Sequence, residues 1–265
     1  MLEPIKVAFG EFMVRFYASI APTTRPLQAY VTRGAEKSIA WAPTRMVDSV
    51  EDMLSLWSRS NVEDGKTRPH DLPVIFVSMS KDYVPTARDY TRQIADKMMV
   101  VISNDPKART FGLRVAAGDI RAQVVVIASD EPTARALAAQ FLLFLDATDS
   151  RRFMARHSFS GQVMEWPVQL EAQDPPAAAV ATESKNLTIL AVDLNLRAEI
   201  PIFDAPPAGA PNDGRGVAGQ ADKSDLSGYP VISQINITSQ LSGPGGSAQT
   251  IGEYVLSTEA EEGDS

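Results

Sequence analysis

Ile120-Arg-Ala-Gln-Val-Val-Val-Ile-Ala128, followed at once by Asp130-Glu-Pro-Thr-Ala-Arg-Ala-Leu-Ala-Ala-Gln-Phe-Leu-Leu-Phe-Leu145, decides how the chain folds. The first run is short, apolar and β-branched, which predicts a strand. In the second, Ala134, Leu137, Ala138, Phe141, Leu142 and Leu145 fall on one face of a helix. Asp130 is placed to cap that helix, and Pro132 is tolerated in the first turn because its missing N–H would be unpaired there anyway. Met164 to Leu170 and Leu187 to Ile202 read as two further strands. In the latter, Leu190, Val192, Leu194, Leu196, Ala198, Ile200 and Ile202 alternate with Asp193, Asn195, Arg197 and Glu199. A strand of that length exceeds the usual value of about 5–6 residues, so it is expected to run past its own core or to share a sheet with a neighbour. The block predicts an α+β fold, a mixed or antiparallel sheet with packed helices.

Upstream, residues 5–20 are read as a helix, with Ile5, Phe9, Phe12, Met13 and Phe16 on one face and Pro22 and Pro26 ending it. A second helix is expected over 44–60, capped by Thr44, with an apolar stripe of Met46, Val47, Val50, Met53, Leu54 and Trp57. Asn61 to Asp71 is a polar loop. Leu72 to Met79 reads as a buried strand, Thr86 to Ala95 as a helix, and Met98 to Ile102 as another strand. Residues 1–203 thus form the main domain, with N-terminal helices over 1–70 and a sheet–helix core over 71–203.

Downstream the composition changes. Residues 204–228 are rich in Pro and Gly without an apolar period, as a linker is. Residues 229–258 carry one more alternating strand, with Val231, Ile235, Ile237 and Leu241 on one side. Such a detached strand either returns to its own sheet or pairs with a neighbouring subunit. Residues 259–265 form an acidic tail predicted to be disordered.

Bulk properties narrow the chemistry. The chain has 265 residues, a formal net charge of −8 and no cysteine. The charge argues against sequence-independent nucleic-acid binding, because like charges repel the phosphates. Without cysteine there is no disulfide, thiolate nucleophile or Cys-based metal site. With only His70 and His157 there is no multi-histidine metal site within one chain. No run approaches the roughly 18 apolar residues of a membrane span, and the N-terminus lacks the pattern of a secretion signal.

No phosphate-loop, dinucleotide, zinc-protease or nucleophile-elbow motif occurs. Gly243-Pro-Gly-Gly246 lacks the lysine and helix start of a phosphate cradle. Arg151, Arg152, Arg156 and His157 read as a basic loop just beyond the helix. It either complements the helix dipole, lies solvated, or contacts an acidic partner or DNA. Glu165, beside Trp166 in an alternating strand, is expected to face solvent. No catalytic residue, metal ligand or cofactor site is predicted.

The Ala-Ser-Asp-Glu-Pro-Thr-Ala-Arg-Ala-Leu-Ala run from Ala128, its helix, the Trp166-Pro167 strand and Leu196-Arg-Ala-Glu-Ile-Pro-Ile202 together resemble tail-completion proteins of tailed bacteriophages, the tail terminators and related neck proteins. The resemblance covers roughly residues 70–203. It implies a tail-terminator-like fold to which the first seventy residues and the linker-connected C-terminal strand are additions. It also implies a non-enzymatic virion protein, assembled in the host cytoplasm into a hexameric ring. Its partners would be the tail tube, the sheath of a contractile tail and the head–tail connector. DNA would pass through the lumen without specific binding. Another ring of the neck or baseplate, a collar or sheath initiator, fits equally. A soluble ligand-binding or enzymatic domain built from scattered polar residues is the alternative from a different class.

Overall fold

Two long strands form the spine. β5 (Thr110–Ala128) pairs antiparallel with β9 (Thr188–Asp204), in an unbroken register from Gly112↔Asp204 to Ala128↔Thr188. At about 3.3 Å per residue the 19 residues of β5 span roughly 60 Å. The computed structural model describes residues 2–42, 54, 72–85, 94–102, 109–147, 150–159, 162–171, 175–182, 186–206 and 231–232.

The other strands flank this spine. On the β5 side lie β1 (Ile39–Trp41), β2 (Val74–Met79), β3 (Val84–Pro85) and β4 (Ile94–Ile102). β2 is antiparallel to the later half of β5, β4 to its earlier half, and β1 is parallel to β2. On the β9 side lie the hairpin of β6 (Arg152–Phe159) and β7 (Gln162–Leu170), and β8 (Ala177–Ala179). β10 (Val231–Ile232) pairs parallel with Val101 and Ile102 of β4. With its helices the molecule is α+β with a mixed sheet, as expected.

Alternation along the spine sends even and odd residues to opposite faces. Ile120, Ala122, Val124 and Val126 of β5 and Leu190, Val192, Leu194, Leu196 and Ala198 of β9 meet the helices. α1 (Glu3–Ser19) contributes Ile5, Phe9, Phe12, Met13 and Phe16, the apolar face foreseen in the sequence. α4 (Glu131–Asp146) contributes Ala134, Leu137, Ala138, Phe141 and Leu145. The Asp130 carboxylate accepts from the Thr133 N–H at 2.8 Å and closes the α4 N-terminus. Asp130→Ala is expected to cost about 1 kcal/mol, read as a lower denaturant midpoint at unchanged slope.

Between them sits α2 (Arg25–Arg33), which the sequence reading missed. Pro26 was expected to end a helix; it lies in the first turn of one, where a missing N–H costs nothing, and the Thr24 hydroxyl caps Leu27 N–H at 3.3 Å. The Tyr17 hydroxyl lies 2.7 Å from the Tyr30 carbonyl and 2.9 Å from that of Val31, and the Ser38 hydroxyl donates to the Tyr30 carbonyl at 3.2 Å, so these helix-end carbonyls are satisfied by side chains. Gly34, at φ 94° and ψ 152°, then turns the chain into the short α3 (Ala35–Ser38), a backbone conformation open essentially to glycine alone.

Two smaller clusters lie on the odd face. Leu72, Val74, Phe76, Val125, Ile127 and Ile189 pack with Ala42 and Leu54 at one end. Val100, Ile102, Phe111, Leu113, Val115 and Trp166 pack at the other. The β6–β7 hairpin leaves β9 before Val168 and brings Phe159 within 5.2 Å of Phe111 and 4.8 Å of Phe203, ring centre to ring centre.

Several expectations change. Ile94 and Ala95, expected in a helix, begin β4 instead. Gly112 to Ala117, not read as strand, belong to β5. Arg152 to Phe159 is a strand, not a basic loop. α1 packs into the main core, where Phe9 and Phe12 lie 6.2 and 5.3 Å from Phe153. The expected helix over 44–60 lies outside the described residues apart from Leu54, which is helical and buried. Asn61 to Asp71 with His70, and the segments 207–230 and 233–265, also lie outside them.

Candidate assembly surface

β6 is the outermost strand on its side, paired among the described residues only with β7. Phe153 and Ala155 are buried under α1, so the strand has an apolar period of two that its arginines conceal in the sequence. Arg156 faces outward. Its guanidinium meets Glu165, its cross-strand partner, at 3.2 Å and Glu11 of α1 at 3.5 Å. Glu165 is exposed, as expected. Arg151 pairs instead with Asp146 at the end of α4, at 3.3 Å. Arg151 and Arg156 are each bound to carboxylates of the same chain, at different places, and do not converge into one basic patch.

Between α1 and β6 runs a groove of about 260 Å³ lined by Glu3, Pro4, Val7, Ala8, Glu11, Met154 and Arg156. Val7 is a large apolar residue left 55% exposed on its rim. Nothing in the sequence marked this groove, because it joins segments some 145 residues apart.

The C-terminal candidates divide. Val231 pairs with Val101 of the same chain. Ile235, Ile237 and Leu241 lie outside the described residues.

The polar residues of the odd face are engaged with one another. Arg197 is gripped by Glu171 and, at 3.3 Å, by Asp119, its cross-strand partner. Gln123 donates to Asp193 at 3.0 Å. These are complementary pairs set by register, which is how sheets are stabilised. No group of three or more His, Cys, Asp or Glu able to hold a metal is found among the described residues. No helix among them is long and apolar enough to cross a membrane.

Among the described residues, four groups titrate away from their ordinary range, and none lines the groove. Burial raises Tyr30 and Tyr83. A hydrogen bond from Lys97 lowers exposed Asp204. Burial lowers His157, whose Nε2 has no hydrogen-bond partner. The unfolded chain therefore takes up the His157 proton at a higher pH than the folded one, and stability must fall as pH drops below about 6.5. His157→Gln is expected to flatten that decline between pH 7 and 5 in urea titrations; an unchanged slope would show that His157 is not its source.

No protein-family model matches the chain, and no curated protein matches it.

Proposed function

We propose that this chain is a ring-forming structural protein of a phage tail. It acts as a tail terminator or neck protein that caps tube and sheath and joins the tail to the head connector. The observation that carries the reading is a sheet whose spine outruns its helix layer. Among the described residues, α1, α2 and α4 pack on the even face of the spine over Ile120 to Ala128 of β5 and Leu190 to Ile200 of β9. The far arm, from Thr110 to Ala117 and Pro201 to Asp204, extends beyond them with β4 on its flank. On this face of the arm Arg114 and Met99 are exposed and Ala116 and Ile202 half-buried, surface available to a neighbouring subunit. The acidic balance suits a conduit that DNA must pass without sticking. A collar or sheath-initiating ring rests on the same physical features.

The test is native mass and electron microscopy of the purified chain, alone and with isolated tail tubes. A closed ring, free or formed on the tube end, is the expected result. A monomer or dimer indifferent to tubes overturns the proposal.

A further inference from the structure

We propose that the groove between α1 and β6 receives the β4–β5 arm of a second copy, so that the chain assembles head to tail. This rests on the ring reading above and names the contact that would build the ring. The two surfaces lie at opposite sides of the sheet, β6 beyond β9 and β4 beyond β5. A heterologous contact between two different patches is the kind that closes into a ring or grows into a filament.

The patches complement each other. At the groove three carboxylates, Glu3, Glu11 and Glu165, face one cation, Arg156. Glu3 has no ion-pair partner among the described residues, and the nearby Lys6 is engaged over the Trp41 ring at 5.3 Å. On the arm the balance reverses: Arg109, Lys97 and Arg114 against Asp96 and Asp204. Lys97 and Arg114 share the Asp204 carboxylate, at 2.9 and 3.4 Å. Each surface also carries an exposed apolar residue. Met99, paired with Gly112 on the Lys97 side of the arm, is 38% exposed, and Val7 sits on the groove rim. Exposed ion pairs add little affinity singly but fix register and exclude wrong partners. The apolar contact of Val7 and Met154 with Met99 supplies the burial.

The chain has no cysteine, which makes the contact directly readable. Full-length Val7→Cys and Met99→Cys proteins are mixed under mild oxidation. Val7→Cys mixed with Leu143→Cys serves as control, Leu143 being 68% exposed on α4 and belonging to neither the groove lining nor the arm. Disulfide formation at least about tenfold faster than the control supports the proposal, since docking raises the effective concentration of one thiol near the other. A rate equal to the control, in a protein that still forms rings, overturns this contact and leaves the ring reading standing. A protein that forms no ring with or without tubes overturns both. Charge reversal supplies a second readout. Glu3→Lys with Glu11→Lys, or Lys97→Glu with Arg114→Glu, should each abolish assembly while each protein still melts in one cooperative transition, lowered only by the loss of its exposed intrachain ion pairs. Combining all four should restore it; failure of the combined variant to assemble, with the fold intact, counts against the charge pairing.

Discussion

Phe12→Ala is expected to destabilise the protein by about 3–5 kcal/mol, the range for removing a fully buried large side chain. Phe12 has no exposed surface and sits at the centre of an aromatic cluster. Its ring lies 5.7 Å from Phe9, 5.2 Å from Phe144 of α4 and 5.3 Å from Phe153 of β6. One side chain thus ties three elements that are distant in sequence, and the void left by truncation is bordered by rings too large to collapse into it. A domain is only about 5–15 kcal/mol stable in total, so this loss should move the denaturant midpoint severely. The prediction also tests the architecture. If α1 were an arm laid on a complete fold, Phe12→Ala would release α1 and leave the sheet's cooperative transition in place. If α1 is part of the one core, as its contacts say, both must unfold together at the lower midpoint, seen as coincident helical and aromatic signals.

Much of this architecture was legible, and most of the parts that were not share a physical cause. The α1 face could be read because Ile5, Phe9, Phe12, Met13 and Phe16 recur at helical spacing and the environment does not contest it. β9 could be read because its alternation is strict. Its partner β5 is legible only from Ile120, since Gly112 and Gly118 interrupt the upstream run and glycine is depleted in strands. What holds those residues extended is β9 opposite them, a tertiary fact. β6 was hidden by its arginines: four of its eight residues are Arg, His or Ser, and only the contacts of Phe153 and Ala155 with α1 show which side is core. α2 did carry a signal, Thr24 followed by a first-turn proline, but Pro26 was taken as a stop when the same ring geometry suits a start. The groove was beyond any local pattern, since its two walls are brought together only by the packing of α1 on β6.

Gly118 offers the sharpest test of how the far arm is joined to the core. The Tyr83 side chain lies directly over it: a Cβ built at Gly118 would fall 2.1 Å from Tyr83 Cζ and 2.2 Å from Cε2, far inside any real contact. Tyr83 itself packs against the main core, immediately before β3, whose Val84 and Pro85 pair with Asp119 and Gly118. The glycine is there for space, since an aromatic ring fills the site where its side chain would stand. Gly118→Ala must therefore push Tyr83 out or bend β5. The expected cost is about 1–3 kcal/mol, the range for overpacking. Ordinary propensity predicts the opposite sign, because alanine is less flexible than glycine in the unfolded chain and should stabilise an extended site. The direction of the change alone therefore separates the two accounts. Tyr83→Ala removes the obstacle at its own cost in buried area. In the Gly118→Ala/Tyr83→Ala double variant the alanine Cβ enters vacated space, so the loss should be smaller than the sum of the two single losses by about 1 kcal/mol or more, as for residues in direct contact. Strict additivity in urea titrations of the four proteins would mean that the ring does not occupy the glycine's face and that β3 is held to β5 by backbone pairing alone.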